Sequence, residues 1–89
     1  MSKGENSTLI YLKKRAKTHG DFRHTAGTAQ ALKEIVAESA AGKLSPIQHE
    51  ALDMICSKIA RICCGDNNEP DHWLDVQGYA KLAEDEIND

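Results

Sequence analysis

The sequence has few aromatic residues, few prolines and few large apolar side chains. Four of its 89 residues are aromatic, two are proline, and only 22 belong to the group of Leu, Ile, Val, Met, Phe, Tyr and Trp. Because ordering a chain costs about 1.5 kcal/mol per residue, so small an apolar set gives an isolated domain a marginal core. The composition therefore favours a protein that associates with itself, as a homodimer or larger.

Long apolar segments are also missing. A membrane-spanning helix needs about 20 apolar residues in succession, and no run in the sequence approaches that length. The first eight residues, MSKGENST, lack the apolar region of a signal peptide. These features predict a cytoplasmic protein with no membrane contact.

Cysteine is too scarce and too clustered to form a disulfide framework. Cys56, Cys63 and Cys64 are an odd number of thiols in one apolar segment, which is typical of a reducing compartment. They also lack the paired spacing of a structural zinc site. We interpret them as small hydrophobic residues near a helix end.

The charge is divided between the two ends of the chain. Residues 1–23 carry six basic and two acidic side chains, whereas residues 66–89 carry eight acidic side chains against Lys81 alone. A chain with this distribution is suited to packing a basic helix on an acidic one, within one copy or between copies. The overall charge of −3 argues against nucleic acid as a ligand, since affinity for nucleic acid comes largely from neutralised phosphates.

Glycine and proline divide the sequence into four segments, each with helical periodicity. Ser45 to Gln48 contains the serine, N1 proline and N3 glutamine of a capping box. We predict an all-α fold, a single domain over 1–89 built as a bundle of about four helices, with frayed ends at 1–6 and 86–89. The helices are expected at about 7–18, 22–40, 46–64 and 70–83.

Four residues of the fourth helix are expected to have structural roles. Trp73, as the only tryptophan, is predicted to be a core anchor, with Tyr79 and Leu82 buried on the same helix. Gly78 costs a helix interior about 1 kcal/mol relative to alanine, so its presence suggests that another helix approaches closely there.

Two pairs of carboxylates are the candidate functional groups of the chain. Residues three or four apart share a helix face, which brings Glu50 to Asp53 and Asp71 to Asp75. Such oxygen pairs suit Mg²⁺, and nearby basic side chains could contact the phosphates of a nucleotide. The alternative is that those basic residues form ion pairs with the aspartates across a helical hairpin. The candidate metal ligands are Glu50, Asp53, Asp71 and Asp75, and the candidate phosphate-binding residues are Lys58 and Arg61.

The same segments resemble a group of small phage and prophage proteins of uncharacterised function. The shared pattern is K-x-x-R, a loop, and D-x-x-x-D-x-x-G-Y-x-x-L, here Lys58–Arg61 followed by Asp71–Leu82, preceded by R-x-x-x-x-G-D at Arg15–Asp21. The resemblance covers most of residues 15–83.

That group is in turn distantly similar to MazG-type all-α nucleoside triphosphate pyrophosphohydrolases. Those enzymes bind Mg²⁺ through E-x-x-E and E-x-x-D on two helices and cleave the α–β phosphate bond of nucleotides. Glu50-x-x-Asp53 matches one pair, whereas Asp71-x-x-x-Asp75 departs from the other. The resemblance implies a phage accessory protein that binds or hydrolyses nucleotides with Mg²⁺. The alternative is a phage protein without enzymatic activity that binds a host protein and inhibits or redirects it.

Overall fold

The computed structural model describes residues 3–88, and side chains for residues 7–87. Four α-helices and no strands occur within these residues, which confirms the all-α prediction: α1 is Lys3–His19, α2 is Phe22–Ala40, α3 is Pro46–Cys64 and α4 is Pro70–Asn88. None of the described helices is long and apolar enough to cross a membrane.

The helix ends follow the local sequence closely. Asp21 caps α2 by accepting a hydrogen bond from the backbone of Arg23, and Ser45 and Gln48 form the predicted capping box of α3. α4 extends to Asn88, so it continues through residues 86–88, where fraying was expected. Of the other residues expected to fray, Met1, Ser2 and Asp89 lie outside the described residues, and residues 3–6 belong to α1.

Helix α3 is the centre of the molecule. It packs against α2 on one side and α4 on the other, while the backbones of α2 and α4 approach each other nowhere within 8 Å in residues 3–88. α1 makes far fewer contacts, with α2 and α3. The result measures 52 × 25 × 24 Å, and its radius of gyration of 15.7 Å exceeds the roughly 12 Å of a compact domain of this length.

A close crossing of two glycines attaches α1 to the rest of the fold. Gly20 follows α1 with φ of 86°, and its position faces the carbonyl of Cys64. A Cβ at Gly65 would lie 2.5 Å from the carbonyl oxygen of Thr18. That same oxygen accepts a hydrogen bond from the backbone of Asp66 at 3.1 Å and lies 2.6 Å from His72 Nε2. Only glycine fits at this crossing because the two backbones touch.

The core consists of small side chains. Its buried apolar residues are Ala29, Ala51, Cys56 and Ala60, and no large side chain in the described part of the chain is fully buried. Small residues let the α2–α3–α4 backbones pack closely, but they remove little apolar surface from water.

The roles predicted for Trp73, Leu82 and Gly78 of α4 are wrong within a single protomer. Trp73 is 51% exposed and Leu82 is 61% exposed, so neither is a core residue, although Trp73 donates an indole hydrogen bond to the carbonyl of Asn67. Tyr79 is half-buried. No described side chain or neighbouring helix comes within 4 Å of a Cβ built on Gly78, so no helix of the same chain approaches it.

Candidate functional site

The α3–α4 contact contains a partly buried ion pair. Lys58 Nζ lies 3.1 Å from Asp75 Oδ2, and the lysine side chain is only 11% exposed whereas that of Asp75 is 45% exposed. The alternative interpretation, an ion pair across the helical hairpin, is therefore confirmed for Lys58 and Asp75. Asp71 and Arg61 have no ion-pair partner within 4.0 Å among the residues whose side chains are described.

The four candidate metal ligands are spread along the molecule. Lys58 stands opposite Asp75. Measured along the α3 axis from Lys58 towards the start of that helix, Asp53 is five residues or about 7.5 Å away, and Glu50 is about 12 Å away. Asp71 is one turn away in the opposite direction. Within the described part of one protomer, no group of three or more His, Cys, Asp or Glu side chains is placed to hold a metal ion.

A cleft of about 620 Å³ lies between α1, α2 and α3. Its walls are mainly apolar side chains of α1 and α2, namely Leu12, Ala16, Phe22, Ala26 and Ala29. Ser57 and Arg61, one turn apart on α3, form the floor. The cleft therefore lies where α1 and α2 pack on α3, and no residue of α4 lines it.

Three cationic side chains line this cleft without carboxylate partners. No acidic oxygen lies within 4.0 Å of the side-chain nitrogens of Arg15, Lys33 or Arg61 among the described residues. Arg15 Nη1 donates a hydrogen bond to the hydroxyl of Tyr11 at 3.3 Å. Asp21 is the only acidic residue of the lining, and its carboxylate accepts the α2 cap hydrogen bond. The cleft is thus an electropositive site with apolar walls.

His19 reports on this positive field. Partial burial lowers its pKa, and the nearby guanidinium groups of Arg61 and Arg15, then His72, lower it further. Its Nδ1 lies 2.6 Å from Thr18 Oγ1, and its ring meets that of His72 edge-on with centroids 5.0 Å apart. The neutral imidazole is therefore favoured beside two fixed positive charges.

The first carboxylate pair does not line the cleft, but it continues the stripe of α3 that forms the cleft floor. Asp53 is one turn from Ser57 on the same stripe of α3, and Glu50 is one turn further. His49 Nε2 contacts Asp53 Oδ2 at 3.3 Å. Burial raises the pKa of the Cys56 thiol, and the charge of Asp53 raises it further, whereas the charge of Lys33 lowers it. The side chains of Asp53 and Lys33 are therefore both near Cys56. Glu50 and Asp53 are consequently the two metal candidates that belong to the cleft side of α3.

The predicted phosphate-binding residues have separate environments. Arg61 lies in the cleft, whereas Lys58, one turn before it on α3, is paired with Asp75 of α4. The sequence did not indicate Lys33 or His19 as site residues. Lys33 belongs to α2 and His19 to α1, and the apolar periodicity of these helices does not show how they pack on α3. Arg15 had one signal, its place in the R-x-x-x-x-G-D pattern.

The cysteines form no part of this site. All three are free thiols, with Cys56 buried, Cys64 half-buried and Cys63 exposed.

Comparison of the chain with protein-family models, curated proteins and solved structures found no match.

Proposed function

We propose that this chain binds a nucleotide, or a phosphorylated compound of similar build, in the cleft between α1, α2 and α3. The observation that carries the proposal is a set of three cations, Arg15, Lys33 and Arg61, which have no carboxylate partner among the described side chains and lie in a cleft whose remaining walls are largely apolar. A phosphate chain requires positive charge, and a base or similar ring requires apolar surface.

Each part of the cleft has a role in this proposal. Arg15 and Arg61 offer planar guanidinium groups that bind two phosphate oxygens at once, while Lys33 supplies a point charge. Leu12 and Phe22 face the apolar part of the ligand; Phe22 is 79% exposed and gains most from a flat partner. His19, kept neutral by its neighbours, offers a hydrogen bond at the α1 end.

Mg²⁺ enters this proposal as a companion of the ligand. Glu50 and Asp53 supply two carboxylates, which is too few for a site built from protein alone, but Mg²⁺ commonly binds one or two carboxylates together with substrate phosphates. We therefore expect Mg²⁺ to bind with the nucleotide and not without it. Bound Mg²⁺ would neutralise phosphate charge, as cleavage of a triphosphate requires; the resemblance to MazG-type proteins extends the proposal to that activity.

The biological setting is proposed on the same resemblance. We place the protein among phage or prophage accessory proteins, acting in the host cytoplasm as a homo-oligomer. The small apolar set and the modest core support self-association.

Thermal-shift and calorimetric titration with nucleoside mono-, di- and triphosphates, each with and without Mg²⁺, test the proposal. A ligand present at 100 times its dissociation constant should stabilise the fold by about 2.7 kcal/mol. Arg61→Ala should remove most of this gain, and Glu50→Gln should remove only its Mg²⁺-dependent part. Release of pyrophosphate or phosphate in the same samples reports on hydrolysis.

Arg23→Ala is the matched control. Arg23 is an exposed arginine of α2 that does not line the cleft, so its loss changes the net charge by the same amount as the loss of Arg61. Equal losses of ligand binding in the two variants would indicate nonspecific charge attraction, and no response to any nucleotide would refute the proposed function.

A further inference from the structure

The protomer exposes more surface than a compact protein of its mass. Its accessible surface is 6479 Å², whereas a folded monomer of 9.8 kDa is expected to expose about 5,200 Å². The excess is about 1,300 Å², larger than the roughly 800 Å² that each partner buries in a stable interface of standard size. Enough surface is therefore available for a stable protein interface.

One part of this surface surrounds α1. Leu9, Ile10, Tyr11 and Leu12 are consecutive, and since successive helical residues differ by about 100°, they occupy all sides of the helix. Each is between 45% and 59% exposed. This one turn of α1 is apolar on every side, and because its four side chains are about half exposed, the contacts that α1 makes inside the protomer leave it incompletely covered.

A second part lies along the outer side of α4. Leu74, Gly78 and Leu82 follow one another at intervals of four residues, and Trp73 adjoins them. The two leucines are each 61% exposed, and the space above Gly78 is open. Two exposed leucines on either side of a glycine form a shallow hole that suits a side chain from another helix.

The two surfaces are complementary in charge. Residues 7–19 of α1 carry four basic side chains and no acidic one, whereas α4 carries five acidic side chains and one lysine. Within residues 3–88 the α1 and α4 backbones approach nowhere within 8 Å, and α4 reaches α1 through His72 at its first turn. The apolar stretches of the two helices therefore do not cover each other inside one protomer.

We propose that a second copy of the chain covers both surfaces: α1 of one protomer packs on the Leu74–Gly78–Leu82 stripe of its partner's α4, and the reciprocal contact closes a two-fold dimer. A two-fold axis makes both contacts identical, so each copy buries its α1 and its α4 stripe at once. The dimer also supports α1 as a wall of the ligand cleft, because α1 supplies Leu12 and Arg15 to it.

Light scattering on a size-exclusion column, with the full chain at tens of micromolar, tests this proposal without any ligand. We expect twice the 9.8 kDa chain mass. Leu82→Glu should weaken the dimer at least tenfold, whereas Ile35→Glu should leave it intact, since Ile35 on α2 is equally exposed at 60% but lies outside the proposed interface. A wild-type monomer, or a dimer lost only in Ile35→Glu, would overturn the proposal.

Glycine substitutions provide a second measurement. Gly78 and Gly27 both lie in helices with open space where a Cβ would extend, so neither change should disturb the protomer. Gly78→Leu should fill the hole on α4 and weaken association, while Gly27→Leu on α2 should not. Dimers of unchanged affinity in both variants would show that α4 does not receive a partner helix at Gly78.

Charge reversal tests the pairing of α1 with α4. Reversing Lys13 and Lys14 together to Glu should weaken the dimer, and adding Glu84→Lys and Glu86→Lys to the same chain should restore it. Failure of the second pair to restore association would refute the α1–α4 pairing. Because these experiments use no nucleotide, a dimer that binds none rejects only the proposed function, and a monomer that binds nucleotide rejects only this interface.

Discussion

Neutralising Asp75 should destabilise the protein. In Asp75→Asn the Lys58 ammonium, of which only 11% of the side chain is exposed, loses the carboxylate 3.1 Å away and keeps its charge. Removing one partner of a fully buried pair costs about 3–5 kcal/mol, whereas an exposed pair contributes about 0–1 kcal/mol. Since Asp75 is 45% exposed and water screens it, we expect a loss of about 1–2 kcal/mol.

The assay is thermal unfolding followed by circular dichroism in buffer containing a metal chelator. In a domain of this size each kcal/mol lowers the melting temperature by about 4–8 °C. Asp71→Asn is the control, because Asp71 is exposed in the first turn of α4 with no ion-pair partner within 4.0 Å among the described side chains. Its change should stay below about 1 kcal/mol, the size of its interaction with the helix dipole.

A double-mutant cycle separates the ion pair from other effects. Lys58→Met removes the buried charge, so Asp75→Asn made in that background should cost much less than it does in the wild-type chain. If Asp75 instead belonged to a cluster of carboxylates that holds Mg²⁺, removing its charge would relieve repulsion. A melting temperature that rises in Asp75→Asn without metal would refute our reasoning and return Asp75 to the metal site.

Three further changes test other parts of the fold. Gly65→Ala should destabilise strongly, by more than about 2 kcal/mol or to the point of unfolding in a urea titration, because its Cβ would meet the Thr18 carbonyl at 2.5 Å. Ser45→Ala should cost about 1 kcal/mol in the same titration by removing the α3 capping hydrogen bond. The pKa of His19 is lower in the folded protein than its unfolded value of 6.5. The stability that His19 contributes is therefore fully present above pH 6.5 and is lost as the pH falls below that value. His19→Gln should flatten the dependence of stability on pH between pH 7 and 5.

Local signals in the sequence determine the helices well. The Ser45–Gln48 capping box, the Asp21 cap and the glycine after α1 each specify a backbone conformation through their own side chain or lack of one, and all three are present in the structure. These are interactions between residues a few positions apart. A single sequence contains all the information that they require.

Burial was harder to predict because it depends on which faces the helices share. Periodicity places Trp73 and Leu82 among the apolar positions of α4, but it does not distinguish a face covered by α3 from one left open. The same limit applies to Lys33 of α2 and Arg61 of α3. They line one cleft only because of the way α2 crosses α3. The Gly20–Gly65 crossing joins residues 45 positions apart, and each glycine alone indicates only the end of a helix.

The attachment of α1 connects the proposed site with the proposed interface. Near its end α1 is held by the Thr18 carbonyl, which bonds Asp66 and meets His72, but one turn of anchoring leaves Leu9 to Leu12 half exposed. Arg15 lies between these two regions and lines the cleft. A partner that covers the apolar part of α1 would therefore also reduce the motion of Arg15, and ligand binding would cost less conformational entropy in the dimer than in a monomer. Nucleotide affinity should accordingly fall in Leu82→Glu, although Leu82 does not line the cleft.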